Sequence, residues 1–93
     1  MADQTLETRE LTVLNKLGLH ARPASIFVKK ACEFSSKIML DKDGQVSDGK
    51  SIIGVLMLAA SQGSCIKITA EGEDAVDALD ALEQLITDKF GEE

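Results

Sequence analysis

The period of apolar positions changes several times along the chain, and each change marks an element. Glu10-Leu11-Thr12-Val13-Leu14 alternates, which predicts a first strand with Leu11 and Val13 turned inward. Residues 15–19 read as a loop. Ala24, Phe27, Val28 and Ala31 then recur at i, i+3, i+4 and i+7, the stripe of an amphipathic helix predicted over about residues 21–33. Lys37-Ile38-Met39-Leu40-Asp41 alternates again with Ile38 and Leu40 inward, and Asp43-Gly44 supplies the two residues that accept the positive φ of a tight hairpin. Gln45-Val46-Ser47 must therefore return antiparallel. Ser51 is a good N-cap for a short helix beginning at Ile52. Residues 65–70 alternate as a fourth strand, with Ile66 and Ile68 inward. Ala75, Leu79, Leu82 and Ile86 form the core stripe of a last helix, flanked by Val76 and Leu85 and ended by Gly91. Asp77, Asp80, Glu83 and Asp88 fall mostly on its water side. The order is β-α-β-β-α-β-α, and antiparallel strands with helices on one face make a two-layer α+β sandwich.

Ninety-three residues suit a single domain with one modest core, here 1–93, with a polar, frayed stretch over 1–8 and an acidic tail over 91–93. Phe is the only aromatic, at three positions, so aliphatic side chains must fill the core. The longest apolar run, residues 52–60, is too short to span a bilayer, and the N-terminus shows no positive region followed by an apolar one. Cys32 and Cys65 lack metal-ligand spacing and are expected to be reduced and packed, with a disulfide left open as the alternative. These features favour the cytoplasm. The net charge of −6 is unevenly placed. Residues 71–93 hold nine of the sixteen acids and one base, Lys89, a balance of −8, while residues 1–70 hold nine bases and seven acids, a balance of +2. Nucleic acid is not an expected partner, because no strong basic patch with interleaved aromatics exists. No cofactor, metal or membrane insertion is expected, and the chain reads as a monomer.

The short second helix is apolar on more than one face, through Ile52, Ile53, Val55, Leu56, Met57 and Leu58. A small domain cannot bury all of these, so some of Ile52, Ile53 and Leu56 should be exposed as a docking patch. The alternative is a fully buried helix.

The candidate chemistry lies in Gly18-Leu19-His20-Ala21-Arg22-Pro23-Ala24, which holds the only histidine and the only proline. Proline lacks an N–H and suits a first helical turn, so His20 should stand at or just before a helix N-terminus. The unpaired N–H groups there stabilise an anion by about 0.3–1 kcal/mol. Arg22 adds a fixed positive fork suited to phosphate oxygens. A neutral imidazole beside such a pocket is a potential nucleophile for a phosphoryl group. A capping or surface histidine is the plainer alternative.

This heptapeptide resembles the active-site signature of HPr, the phosphocarrier family of the bacterial phosphoenolpyruvate-dependent phosphotransferase system. Lys50-Ser51-Ile52-Ile53-Gly54-Val55-Leu56 resembles that family's regulatory-serine segment, and Gln62-Gly63 and Ala70-Glu71-Gly72-Glu73-Asp74-Ala75 extend the likeness over about residues 9–90. The resemblance implies a four-stranded antiparallel sheet covered by three helices. It implies that phosphorylated enzyme I donates its phosphoryl group to Nδ1 of His20, that Arg22 stabilises the phosphate, and that His20 passes the group to IIA domains of sugar permeases. It also implies Ser51 as a target of HPr kinase/phosphorylase, with a transcriptional regulator as a partner of the phosphoserine form. Ala21, Lys29, Ile52, Ile53 and Leu56 would form the docking surface, with Lys30 helping to steer an acidic partner. The chain would be a stoichiometric carrier, not an enzyme.

Some positions depart from that pattern. Ala21 stands where many relatives have Thr or Ser, Ile53 replaces a common Met or Phe, Gly54 resembles the Gram-positive form, and the acidic tail is unusual. These bear on partner choice. Two alternatives share the fold: a nitrogen-branch phosphocarrier, and a regulatory adaptor acting through phospho-Ser51. Retention of His20 favours a carrier, since an adaptor has no need of it.

Overall fold

The computed structural model describes residues 5–91. Its elements are β1 (Leu6–Thr12), α1 (Ala21–Ala31), β2 (Lys37–Lys42), β3 (Gln45–Asp48), α2 (Ile52–Met57), β4 (Cys65–Glu71) and α3 (Ala75–Thr87), followed by a 3-10 turn over Lys89–Gly91. The order of elements is the one the periodicity predicts. The strands form one antiparallel sheet in the order β1-β4-β2-β3, so the last strand in the chain lies inside the sheet.

One sheet face carries the core. Ile38 and Leu40 of β2 and Ile66, Ile68 and Ala70 of β4 are buried against Ala24 and Phe27 of α1, Val55 of α2 and Leu79, Leu82 and Ile86 of α3. Each large apolar side chain taken out of water contributes about 1.5–3 kcal/mol, which makes these positions the main support of the helix layer. The other face has no helix over it. Glu10, Lys67 and Asp41 stand side by side there on β1, β4 and β2, a charge-alternating row suited to water. The β2–β3 connection is the two-residue turn expected, with Asp43 at φ 54° and Gly44 at φ 90°.

Several boundaries differ from the sequence reading. β1 begins at Leu6, so residues 6–8 are paired strand and not a frayed end; they face residues 69–71 of β4. The inward positions of this stretch are Glu7 and Arg9, which hides the alternation. Arg9 is accommodated because its guanidinium reaches Asp80 at 2.7 Å and Glu83 at 2.8 Å on α3. Asp80 and Glu83 thus bind across the layers while remaining partly exposed. α1 stops at Ala31, two residues early, where the amides of Glu33 and Phe34 turn to carbonyls three residues back. α3 stops at Thr87, and Gly91 closes the following turn through its N–H to the Asp88 carbonyl, with Phe90 folded back into the core. Cys32 and Cys65 are free but exposed, not packed: Cys32 is the C-cap of α1 and Cys65 opens β4 on the helix-free face. Residues 1–4 and 92–93, including most of the acidic tail, lie outside the described residues.

A carboxylate that the sequence does not single out locks the layers together. Asp74, the residue before α3, accepts the backbone N–H groups of Ser35 and Ser36, each at 2.9 Å, and both serine hydroxyls. The Ser36 hydroxyl and then the Ser35 amide favour the charged form, and the carboxyl is held down to about 2.

Candidate functional site

The site is built on the loop that enters α1. Asn15 and Gly18 close a β-turn, with the Gly18 N–H donating to the Asn15 carbonyl at 3.1 Å. The buried Asn15 amide braces the same turn by donating to the Gly18 carbonyl at 2.7 Å. Gly18 has φ +68°, and a Cβ there would lie 2.4 Å from the Ala60 carbonyl oxygen. Only glycine meets both demands. The next residue, Leu19, is buried and donates its N–H to that same Ala60 carbonyl at 2.8 Å. Gln62 ties the loop's other end by donating to the Leu14 carbonyl at 3.1 Å.

This frame delivers His20 as the N-cap of α1, in extended backbone conformation, half-buried and making no side-chain cap bond. Its carbonyl accepts the first intrahelical bond from Ala24 N–H at 2.9 Å. The amides of Ala21 and Arg22 precede that bond, and Pro23 brings no N–H at all. The first turn contains no acidic residue, so nothing negative on it competes for the positive end of the helix. Ala21 and Arg22 are exposed while Pro23 and Ala24 are buried, which turns the helix start outward and anchors it from behind.

Arg22, Ser25, Lys29 and Cys32 are all exposed at i, i+3, i+7 and i+10, one stripe along α1. Lys30 lies off this stripe and pairs with Glu33 at 3.2 Å.

Ser51 caps α2 as expected, its Oγ accepting the Gly54 N–H at 3.0 Å. Ile52 and Ile53 are exposed by 43% and 66%, and Leu56 is half-buried against the core. Met57, which the sequence reading did not select, is exposed by 64% one turn after Ile53. The signal was available, since i and i+4 share a helix face. Val55 and Leu58 bury the opposite side. α2 is therefore not the fully buried helix of the alternative.

α1 and α2 pack against each other and run antiparallel. The start of α1 meets the chain just beyond α2 through Leu19 and Ala60, while its far end meets the start of α2, where Lys50 Nζ donates to the Phe34 carbonyl at 2.7 Å. The structure thus gathers His20, Arg22 and Met57 at one end and Lys29, Ser51 and Ile52 towards the other. Ser51 precedes the first residue of α2, whereas His20 precedes the first residue of α1, so the two stand before different helix starts.

A shallow recess of about 300 Å³ lies on the helix-free face, lined by Glu10, Asp41, Asp43, Gly44, Cys65 and Lys67, none of them near His20. Among the described residues no group of three or more His, Cys, Asp or Glu could hold a metal, and no helix is long and apolar enough to cross a membrane.

Comparison with known proteins finds relatives over nearly the whole chain. The family described as the PTS HPr component phosphorylation site matches residues 7–88. The phosphocarrier protein HPr of Treponema pallidum is 47% identical over 85 residues, covering 91% of this chain and 97% of that protein. The crystal structure of HPr-C-His from Thermoanaerobacter tengcongensis superposes with a TM-score of 0.91 at 47% identity, covering 94% of this chain and 98% of that one. Bacillus subtilis Crh, described as a dimer with a swapping domain, is 40% identical with a TM-score of 0.73, covering 87% of this chain and 93% of that one. An exposed histidine-bearing helix terminus, the open α+β sandwich and these relatives converge: the chain belongs to the HPr family, and it is a phosphoryl carrier that serves the enzymes of the phosphotransferase system and has no turnover of its own.

Proposed function

We propose that His20 is the phosphoryl acceptor, that phosphorylated enzyme I is its donor, and that IIA domains of sugar permeases receive the group in the cytoplasm. The observation that carries this is the placing of the chain's only histidine as N-cap of a helix whose first turn is free of acids. The neutral Nδ1 lone pair attacks phosphorus in line. The new N–P bond forms as the bond to the donor breaks, and the donor keeps the electron pair. Charge on the equatorial oxygens meets the amides of Ala21 and Arg22 and the Arg22 guanidinium. Phosphoryl transfer depends mainly on such positioning and electrostatics. Because these groups lie at the surface, the phosphoryl group is stabilised without being enclosed, and the second transfer stays open. Ala21, Lys29, Ile52, Ile53 and Leu56 form the docking surface, apolar at its centre with positive charge beside it, and the working form is the monomer.

The test is phosphoryl transfer read by intact mass, with purified protein, enzyme I and phosphoenolpyruvate. Wild type should gain one acid-labile phosphoryl group and His20→Ala none. A gain in His20→Ala would remove His20 from the acceptor role.

A regulatory reading of Ser51 has its own support. A phosphate on its Oγ would sit at the α2 N-terminus and add a charge of about −1.5 to −2. Standing before a different helix from His20, it would act on docking across the α1–α2 face. HPr kinase/phosphorylase would be the modifying enzyme and a transcriptional regulator the reader. Pre-phosphorylation of Ser51 should slow transfer from enzyme I chiefly by raising KM. An unchanged KM would leave Ser51 as a cap alone.

A further inference from the structure

Leu17 is the most exposed large apolar residue described, at 72%, and it stands three residues before His20. It occupies the third position of the Asn15–Gly18 turn. Its side chain takes no part in the core. Three residues of chain span at most about 11 Å, so Leu17 lies at the rim of the reacting centre. The turn that holds it is fixed, by the Asn15 amide on the Gly18 carbonyl, the Leu19 amide on the Ala60 carbonyl and the Gln62 amide on the Leu14 carbonyl.

Single exposed leucines are common, but this one is not isolated. Of the eight exposed large apolar residues described, five fall in the entry loop and α2: Leu14, Leu17, Ile52, Ile53 and Met57. The loop joins the α2 end of that set through Ala60, three residues after Met57. Lys16, beside Leu17 at the turn apex, is also exposed, and Arg22 lies just beyond His20.

We propose that Leu17 is a specificity-determining contact for the phosphoryl donor protein, seating in an apolar recess rimmed by carboxylates that meet Lys16 and Arg22. The proposal rests on the carrier reading. Every phosphoryl group that reaches His20 comes from the donor, whereas acceptors alternate, so a rigid apolar contact beside the histidine suits the constant partner. Because the turn is already fixed, little ordering cost opposes the gain on docking. Burying most of a leucine side chain is worth about tenfold or more in affinity.

The test uses the full chain with enzyme I and phosphoenolpyruvate, following initial rates of phosphorylation against carrier concentration. Leu17→Ser should raise KM about tenfold with kcat within twofold, and Leu17→Met should restore the wild-type KM. Val46→Ser, on the helix-free sheet face, should change neither. Thermal unfolding of Leu17→Ser should match wild type, since the side chain supports no packing. Onward transfer from the pre-phosphorylated variant to a IIA domain should stay within twofold. A wild-type KM in Leu17→Ser overturns the inference, and if His20→Ala is inert in the same assay the carrier reading survives it. Equal loss in the onward step overturns the assignment to the donor. Phosphorylation of His20→Ala sinks both.

Discussion

Replacing Gly18 with Ala tests whether the helix start is held in place by its fit against the chain after α2. Two costs are separable. The first is conformational: a residue other than glycine in the left-handed region costs about 1–2 kcal/mol. Gly63, at φ +90° with nothing within 4 Å of the place a methyl would take, would suffer that cost alone. The second is contact. At Gly18 the added Cβ would stand 2.4 Å from the Ala60 oxygen and 2.8 Å from the Ser61 Cα, both backbone atoms. The loop must retreat by roughly 1 Å to reach ordinary contact. Overpacking of this kind costs about 1–3 kcal/mol. The retreat also strains the Leu19–Ala60 hydrogen bond, worth about 0.5–1.5 kcal/mol net. Gly18→Ala should therefore lose about 2–4 kcal/mol more than Gly63→Ala. In a domain of this size that corresponds to a melting temperature lower by at least about 8 °C. Urea unfolding of wild type and both variants measures it. Equal destabilisation, within about 0.5 kcal/mol, would refute the claim that Ala60 clamps the helix start.

Two further outcomes follow from caps and charge. The Asp74 carboxyl is depressed to about 2 in the folded chain against the usual 3.8, so its stabilisation is complete above about pH 4 and is lost as pH falls towards 2. Asp74→Asn, which cannot protonate there, should be less stable at pH 7 and show a shallower loss of unfolding midpoint between pH 4 and 2; an identical slope would count against the latch. Ser51→Ala removes the bond to Gly54 N–H and should cost about 1 kcal/mol, read by chemical denaturation, while leaving acceptance of a phosphoryl group at His20 intact.

What could be read in advance depended on whether a residue's role repeats along the chain. Phe27, Ile38, Ile66, Leu79 and Leu82 announce their elements because burial recurs with a period, and all are buried. His20 was legible because proline and the stripe after it fix a helix start. β1 was only half legible, because Glu7 and Arg9 occupy inward places and Arg9 finds its partners Asp80 and Glu83 more than seventy residues away. The Asp74 latch to Ser35 and Ser36 was invisible for the same reason: it satisfies single groups distant in sequence. Leu17 was missed because periodicity reports what faces the core and is silent about a single apolar residue left in water on a turn, whereas Met57 could have been read from its i, i+4 spacing to Ile53. The cysteines misled because the thiol's usual preference for the interior says nothing about a helix C-cap or the first residue of a strand.

The position of β4 has a consequence for how the chain comes into being. β4 is the last made of the described strands, yet β1 and β2 both pair with it and not with each other. Until residue 71 is available, β1 has no neighbour and β2–β3 is a lone hairpin, marginal in water. The partners of β1 are some sixty residues away in sequence (Glu10 faces Lys67), so loop closure comes before reward and folding should be slower than for a helical bundle of equal length. Leu79, Leu82 and Ile86, which seal the core, arrive later still. A chain interrupted before β4 retains the histidine, the arginine and the whole helix that carries them, but has no sheet to hold that helix terminus in place. The phosphorylation motif alone is thus not a smaller carrier; the function is delivered only once β4 and α3 have joined the chain that carries the motif.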